Sequence, residues 1–322
     1  MSIHICISFL NFFNPNLSFC GIIYNERVYP DTFRKGLLLM KIIKRTVALL
    51  MTTVLGTLAL FSCNEKHEQT AAGELKVTFF DVGKADAILL QSENANVVID
   101  CGEKGDGKKI GKLLEENDLD TIDYLIITHF DKDHVGGAAK LIRSFNVKNV
   151  LTPNYDGTVD EYDKYLGALA EKSITPIKLT EDISFTLDAI DYTVYAPKKN
   201  FYGDNDENDF SLVTKVVHNK NTLLFTGDAM EQRLDEIMDI GTCTLLKVPY
   251  HGRKLDNISD FLNAVKPKCA VVCTSSSEFS GKVQDALKKS NATTYATCFN
   301  GDITAVSNGS NITITTEKGN SL

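Results

Sequence analysis

No repeat of fixed period runs through the 322 residues, and no low-complexity linker interrupts the chain beyond residue 73. Solenoid and array architectures are therefore excluded, and the main body counts as one domain. Positive charge is scarce over that body. Of 34 basic and 42 acidic residues, six and two fall in the first 63 positions, leaving 28 against 40 and a net charge of −12 for the remainder. So acidic a body has no general attraction for nucleic acid. A phosphate-bearing substrate would have to be drawn in by a local charge, such as a metal ion. A Lys/Arg-rich groove interleaved with aromatics is absent, as is any pairing of a Ser or Cys nucleophile with a base. Histidine is rare: six in all, and after residue 63 only His67, His129, His134, His218 and His251. Apolar residues, at 43%, suffice for a sizeable core and speak against wholesale disorder.

The first part of the chain has another character. From Met40 it reads "MKIIKRTVALLMTTVLGTLALFSC": three cations, an apolar run over residues 47–61, and a small residue before Cys63. This order resembles a bacterial lipoprotein signal, with Leu60-Phe61-Ser62-Cys63 as the lipobox. The alternative is a permanent membrane anchor, but a run of fifteen residues falls short of the roughly 18 to 20 that a spanning helix needs. On this reading residues 40–62 are a signal peptide and residues 63–73 a polar tether. The protein is then exported and anchored to the bacterial cell membrane, outside the cytoplasm, by a lipid on Cys63. Met40 is a natural start, and residues 1–39 read as a start assigned too far upstream. With Cys63 acylated, Cys101, Cys243, Cys269, Cys273 and Cys298 remain, an odd number. Cys269 and Cys273 share the strand-like run "CAVVC", which would hold them about 13 Å apart, beyond disulfide reach. These cysteines read as small buried residues, not as a disulfide framework or zinc knuckle.

From residue 74 to 318 strands alternate with helices. Runs at 75–81, 85–91 and 96–100 suggest an antiparallel meander, followed by a helix over 107–117 and a buried strand over 123–128. A helix over 134–145 comes next, then strands near 148–151, 175–179, 183–187 and 190–196. The runs "SLVTKVV" and "TLLFTGD" flank a turn "HNKN", which predicts a hairpin with His218 exposed at its tip. Helices and strands then alternate to the end, with helices over 230–238 and 281–290. Two β-rich halves, each covered by helices, predict an α/β (α+β) chain folded as a four-layer αββα sandwich.

Between the strand ending at 128 and its helix lies "THFDKDHVGG". Two histidines and two aspartates within six positions, in a loop at a strand's C-terminal end, suit a divalent cation that accepts imidazole nitrogen and carboxylate oxygen alike. Gly136 and Gly137 let the helix start close to the site. The competing reading makes Asp133 a helix cap and leaves the others solvated.

Further motifs, "FFDVGKADAILL", "VVIDCG", "NDFSLV", "LLFTGDA" and "LKVPYHGR", follow in order. Together with "THFDKDHVGG" they resemble the metallo-β-lactamase superfamily, in particular the soluble hydrolase domain of ComEC-type DNA-uptake proteins. The resemblance implies that family's sandwich and two divalent metal ions, zinc by family habit, with Mn and Fe as alternatives. It implies His129 and Asp131 as ligands of one ion, Asp133 and His134 of the second, Asp228 as the bridging carboxylate and His251 as the last histidine. Asp131 stands where the family has a second histidine. Another family histidine is missing, and the region "ENDFSLV" offers Asn208, Asp209 and Ser211 in its place. Asp209 reads as an oxygen ligand or, with more ease, as a loop carboxylate. Asp100 matches an aspartate that supports a metal-binding histidine; Asp86 is expected beneath the site, and Asp81 in a turn.

The activity implied is metal-dependent hydrolysis, with a metal-activated hydroxide attacking a phosphodiester or related ester and Asp133 as the catalytic residue. The substrate is small or polymeric; nothing in the sequence marks strong nucleic-acid binding. The alternative is a tethered binding protein with a degenerate metal site.

Overall fold

The computed structural model describes residues 73–203 and 207–322; the expectations for residues 1–72 lie outside the described residues. In chain order the strands are β1 (Leu75–Phe79), β2 (Ala87–Gln91), β3 (Asn96–Cys101), β4 (Thr121–Ile126), β5 (Asn146–Pro153), β6 (Ile177–Leu179), β7 (Ile183–Leu187) and β8 (Ile190–Tyr195). There follow β9 (Val213–His218), β10 (Asn221–Phe225), β11 (Leu245–Lys247), β12 (Cys269–Val272), β13 (Thr293–Ala296), β14 (Ile303–Ser307) and β15 (Ile312–Thr316). The helices are α1 (Gly107–Glu116), α2 (Lys132–Val135), α3 (Ala138–Ser144), α4 (Asp160–Lys172), α5 (Glu231–Glu236), α6 (Ile258–Val265), α7 (Gly281–Lys289) and α8 (Thr297–Asn300).

One sheet has the order β15-β14-β1-β2-β3-β4-β5-β6, the other β13-β12-β11-β10-β9-β8-β7. The meander β1-β2-β3 is antiparallel, as expected, and β3 through β6 run parallel. The second sheet repeats the scheme, antiparallel from β7 to β10 and parallel from β10 to β13. The strand pleat sorts side chains between layers. Val97 and Ile99 of β3, with Leu223 and Phe225 of β10, face the core between the sheets. Val98 packs under α1 and α3, and Leu224 under α5 and α6. Strands covered on both faces read as near-continuous apolar runs. The result is the expected αββα sandwich.

Three local expectations need correction. The helix foreseen over 134–145 is broken into α2 and α3 at Gly136-Gly137. A side chain at either glycine would run into the backbone of residues 101–104, so that turn and the start of α3 pack backbone to backbone. No element is expected between the strands near 148–151 and 175–179, yet α4 forms there. It buries Tyr162, Tyr165, Ala168 and Leu169 on one face, and Asp160, Glu161 and Asp163 lie in its first turn, where the helix dipole favours them. His218 is not exposed. The turn is only Asn219-Lys220, Asn219 taking φ 54°, so His218 is a paired strand residue opposite Asn221, buried with Nδ1 2.9 Å from Ser307 Oγ.

Candidate metal centre

The parallel strands β3, β4, β10, β11 and β12 point their C-terminal ends at one edge of the sandwich, and the chemistry-bearing residues follow those ends. Asp100 closes β3 in a left-handed conformation (φ 56°), which an aspartate tolerates better than most residues. Its carboxylate accepts from Thr128 N (2.8 Å), Thr128 Oγ1 (2.6 Å) and His134 Nδ1 (2.7 Å). The "THFDKDH" loop is thus tied to the neighbouring strand by one fully buried carboxylate. Across the sheets Gly227 (φ 53°) brings the turn after β10 against that loop; a Cβ there would lie 2.9 Å from Thr128 Cβ. After β11, Tyr250, His251 and Gly252 all take positive φ. That run, costing of order 1–3 kcal/mol for each non-glycine residue, turns His251 inward until its Nδ1 lies 3.0 Å from Cys273 O.

These contacts settle the histidine tautomers. A carbonyl only accepts, so His251 carries its hydrogen on Nδ1; a carboxylate only accepts, so His134 does the same. Thr128 Oγ1 spends its hydrogen on Asp100 and accepts from His129 Nδ1 at 3.1 Å. All three imidazoles therefore turn Nε2 inward, as the nitrogen left to take a proton or a metal ion. The Nε2 atoms of His134 and His251 are 3.3 Å apart, and that of His129 is buried with no hydrogen-bond partner. Asp228 Oδ2 lies 2.9 Å from His251 Nε2 and 3.5 Å from His134 Nε2, and Asp133 Oδ2 lies 3.3 Å from His251 Nε2. Lone pairs and carboxylate oxygens converging in a buried site repel one another unless a cation lies between them. Ligand atoms of His129, His134 and Asp228 fall within 4.8 Å of one another, and so do those of Asp133, His134 and His251. The donor set, imidazole nitrogen with carboxylate oxygen, fits a divalent metal ion.

Without a metal, protons must supply the positive charge. Burial opposes ionisation of both inner histidines, but Asp228 and Asp100 hold His134 well above its ordinary value, and Asp228 with Asp133 pushes His251 up to about 9. Burial likewise opposes the carboxylates, yet His251 and His134 hold Asp133 and Asp228 well below the usual range.

The other predicted residues are placed as follows. Asp131 sits at the rim, its side chain 39% exposed and Oδ2 3.6 Å from His129 Nε2; among the described residues it joins none of the compact clusters. Asp133 does not cap α2: it lies within the helix, buried, with Oδ2 3.0 Å from Lys84 Nζ. Asp209 is not directed at the metal cluster through its Oδ1, which accepts from the backbone N of Met230 and Arg233 at the start of α5. Ser211 Oγ holds Asp228 N at 3.1 Å. Asp86 is buried beneath His251, as expected, with Oδ1 3.6 Å from His251 Nδ1. The five cysteines among the described residues are free.

Two lysines escaped the sequence reading. Lys84 neutralises Asp133 from the loop before β2. Lys247, fully buried in β11, donates to Gly227 O at 2.8 Å, pairs with Asp86 Oδ2 and lies 3.5 Å from Asp228 Oδ1. Burial would discharge it, but Asp86 and Asp228 hold its pKa above the ordinary value. The signal was present: a lysine between apolar neighbours in a covered strand needs a buried carboxylate. A cleft of about 460 Å³ lies elsewhere, lined by Asn154, Thr180, Lys198, Lys199 and Phe210 among others, and none of the cluster residues lines it.

Comparison with known proteins places these features in company. The sequence profile described as "Metallo-beta-lactamase superfamily" matches residues 80–276, more than half of the chain. ComE operon protein 3 of Bacillus subtilis is 25% identical over 263 residues, covering 73% of this chain and 33% of that protein. Recombination protein 2 of Haemophilus influenzae is 24% identical over 204 residues, covering 61% and 24% respectively. The chain thus spans a third or less of these relatives' lengths. Among solved structures, the metallo-beta-lactamase fold protein YhfI of Bacillus subtilis superposes with a TM-score of 0.47 at 12% identity, over 69% of this chain and 95% of that one. No helix among the described residues is long and apolar enough to cross a membrane.

Proposed function

The chain belongs to the metallo-β-lactamase superfamily and has its metal-dependent hydrolase fold, and from that premise we propose that it hydrolyses a phosphodiester or a related ester. The observation that carries the reading is the convergence of three Nε2 atoms with the carboxylates of Asp133 and Asp228 in one buried site. In this proposal His129 and Asp131 hold one divalent ion, Asp133 and His134 the second, with Asp228 and His251 completing the pair. Such ions, when bound, supply Lewis acidity and lower the pKa of water toward neutrality.

The chain's own residues do the rest. Asp100, Cys273 O and Thr128 fix the three rings so that each Nε2 faces the reacting space. Against its burial, His251 and His134 keep Asp133 ionised, with Lys84 paired to its Oδ2, which suits that carboxylate to orienting an attacking water through a hydrogen bond. The shell is buried, which strengthens every electrostatic contact within it. A phosphodiester is favoured over other esters because relatives that match this chain bear competence and recombination names. The acidic body favours a small substrate over long nucleic acid.

The protein is further proposed to be exported and tethered by a lipid on Cys63, which mass spectrometry of the mature chain tests directly. The function is tested by metal analysis of the purified chain after dialysis, followed by a hydrolysis screen over phosphodiesters, nucleic acids, thioesters and lactams. Retained divalent metal with turnover of a phosphodiester supports the proposal; a chain that keeps no metal and cleaves nothing leaves the alternative, a tethered binding protein with a degenerate site. The use of Asp209 Oδ1 as a helix cap is the observation that favours this alternative.

A further inference from the structure

We propose that Lys247 is a positioning residue that sets the orientation of the Asp228 carboxylate at the candidate metal centre. The inference rests on the metal-centre reading above and deepens it. A lysine ammonium has three hydrogens, and the surroundings of Lys247 Nζ offer three acceptors: Gly227 O, the Asp86 carboxylate and Asp228 Oδ1. Two of the three belong to consecutive residues, so one ammonium bonds the peptide leading into Asp228 and faces, at ion-pair distance, the far oxygen of its carboxylate, which has no hydrogen-bond partner of its own. Ser211 Oγ holds the Asp228 amide from the other side. With its N and the preceding carbonyl held and the ammonium drawing Oδ1 inward, the carboxylate turns Oδ2 toward His134 and His251.

Lys247 has a second effect of the same kind. Asp86, Asp100 and His134 form a further compact cluster of ligand-type atoms on the inner side of the site. The buried ammonium already sits on Asp86, and His134 Nδ1 is committed to Asp100. A built-in monovalent cation thus fills the inner cluster and keeps a divalent ion at the outer one.

The test compares Asp86→Asn with the double variant Lys247→Met/Asp86→Asn, both in the full chain. Relative to Asp86→Asn the double variant lacks one positive charge, a change of field that by itself would tighten the binding of a cation. Weaker binding than in Asp86→Asn therefore reports orientation of Asp228. Zinc affinity is read by competition with a chromophoric chelator, with no substrate present. The double variant is expected to bind zinc at least about tenfold more weakly than Asp86→Asn, the range over which supporting groups act. Equal or tighter binding would overturn the proposal and reduce Lys247 to a counter-ion of Asp86. Should the double variant not fold, Lys247→Gln, which keeps a donor for Gly227 O, is titrated against the parent with the same expectation and the same refuting result. A parent chain that takes up no zinc sinks the functional reading and this proposal with it, whereas a parent that binds zinc with unchanged affinity in the variants sinks this proposal alone.

Discussion

The Nε2 atoms of His134 and His251 face each other across 3.3 Å, each ring having spent its Nδ1 hydrogen on an acceptor behind it. Nothing in the two rings themselves can relieve that opposition. Either a proton or a metal ion must, and the choice depends on pH.

In the metal-free protein His251 titrates near 9, above the ordinary 6.5, because Asp228 outweighs the burial that pulls the ring down. The raised value means that the protonated ring contributes stability fully below about pH 6.5, and that this contribution is lost as pH climbs through 9. At every pH below about 9 an incoming ion must expel that proton. Zinc affinity is therefore expected to rise by at least about tenfold per pH unit up to 9 and less steeply above. Chelator-competition titrations at pH 7, 8, 9 and 10 check this; an affinity flat across the series contradicts it.

Asp228→Ala should remove at least one equivalent of metal while leaving the fold standing, since Lys247 keeps Asp86 and Gly227 O as acceptors. Metal analysis beside a circular dichroism spectrum decides the matter. Full occupancy in a folded variant would show that Asp228 is no ligand.

Asp100→Asn preserves shape but takes the charge away from His134 Nδ1 and from both Thr128 donors. The ring should lose its fixed tautomer, and metal affinity is expected to fall about 10- to 100-fold. Stability should drop by roughly 1–3 kcal/mol, the cost of disturbing a buried charged hydrogen-bond acceptor. Thermal unfolding and metal titration of the same preparation separate the two effects.

Asp131 lies at the half-open rim beside His129. Asp131→Ala should leave stability within about 0.5 kcal/mol, as surface changes do, yet cost metal affinity and most hydrolytic activity. Asp131→His should shift metal preference toward zinc, because imidazole is the softer ligand. Unchanged affinity and rate in Asp131→Ala would make this aspartate a bystander.

The layers of the sandwich were legible because they rest on local patterns: the apolar runs of β3, β4 and β10 are long, bounded by turn residues and spaced as such strands are. His129, Asp133 and His134 were legible as a group because one short loop carries them, and Asp228 and His251 through the motifs that the chain shares with a family. Lys247 was not, because its meaning depends on Asp86, 161 positions away. A lysine in a covered strand announces a partner without saying where it is. His218 was misplaced by one register step: reading a four-residue turn instead of a two-residue one moves a buried strand end to the tip of a hairpin. The helix α4 was overlooked because its four buried residues include two tyrosines and an alanine, a weak stripe beside the leucine-rich faces elsewhere.

Gly227 and Thr128 touch where loops of opposite sheets meet, and the ligands are divided along the same seam: His129, Asp133 and His134 on one side, Asp228 and His251 on the other. Half a chain cannot make the centre. On the proposed reading the ion has no complete seat until His251, and the Cys273 carbonyl that orients it, have docked. Metal uptake would then be the last act of folding, and a loaded ion would certify that both halves have closed in register.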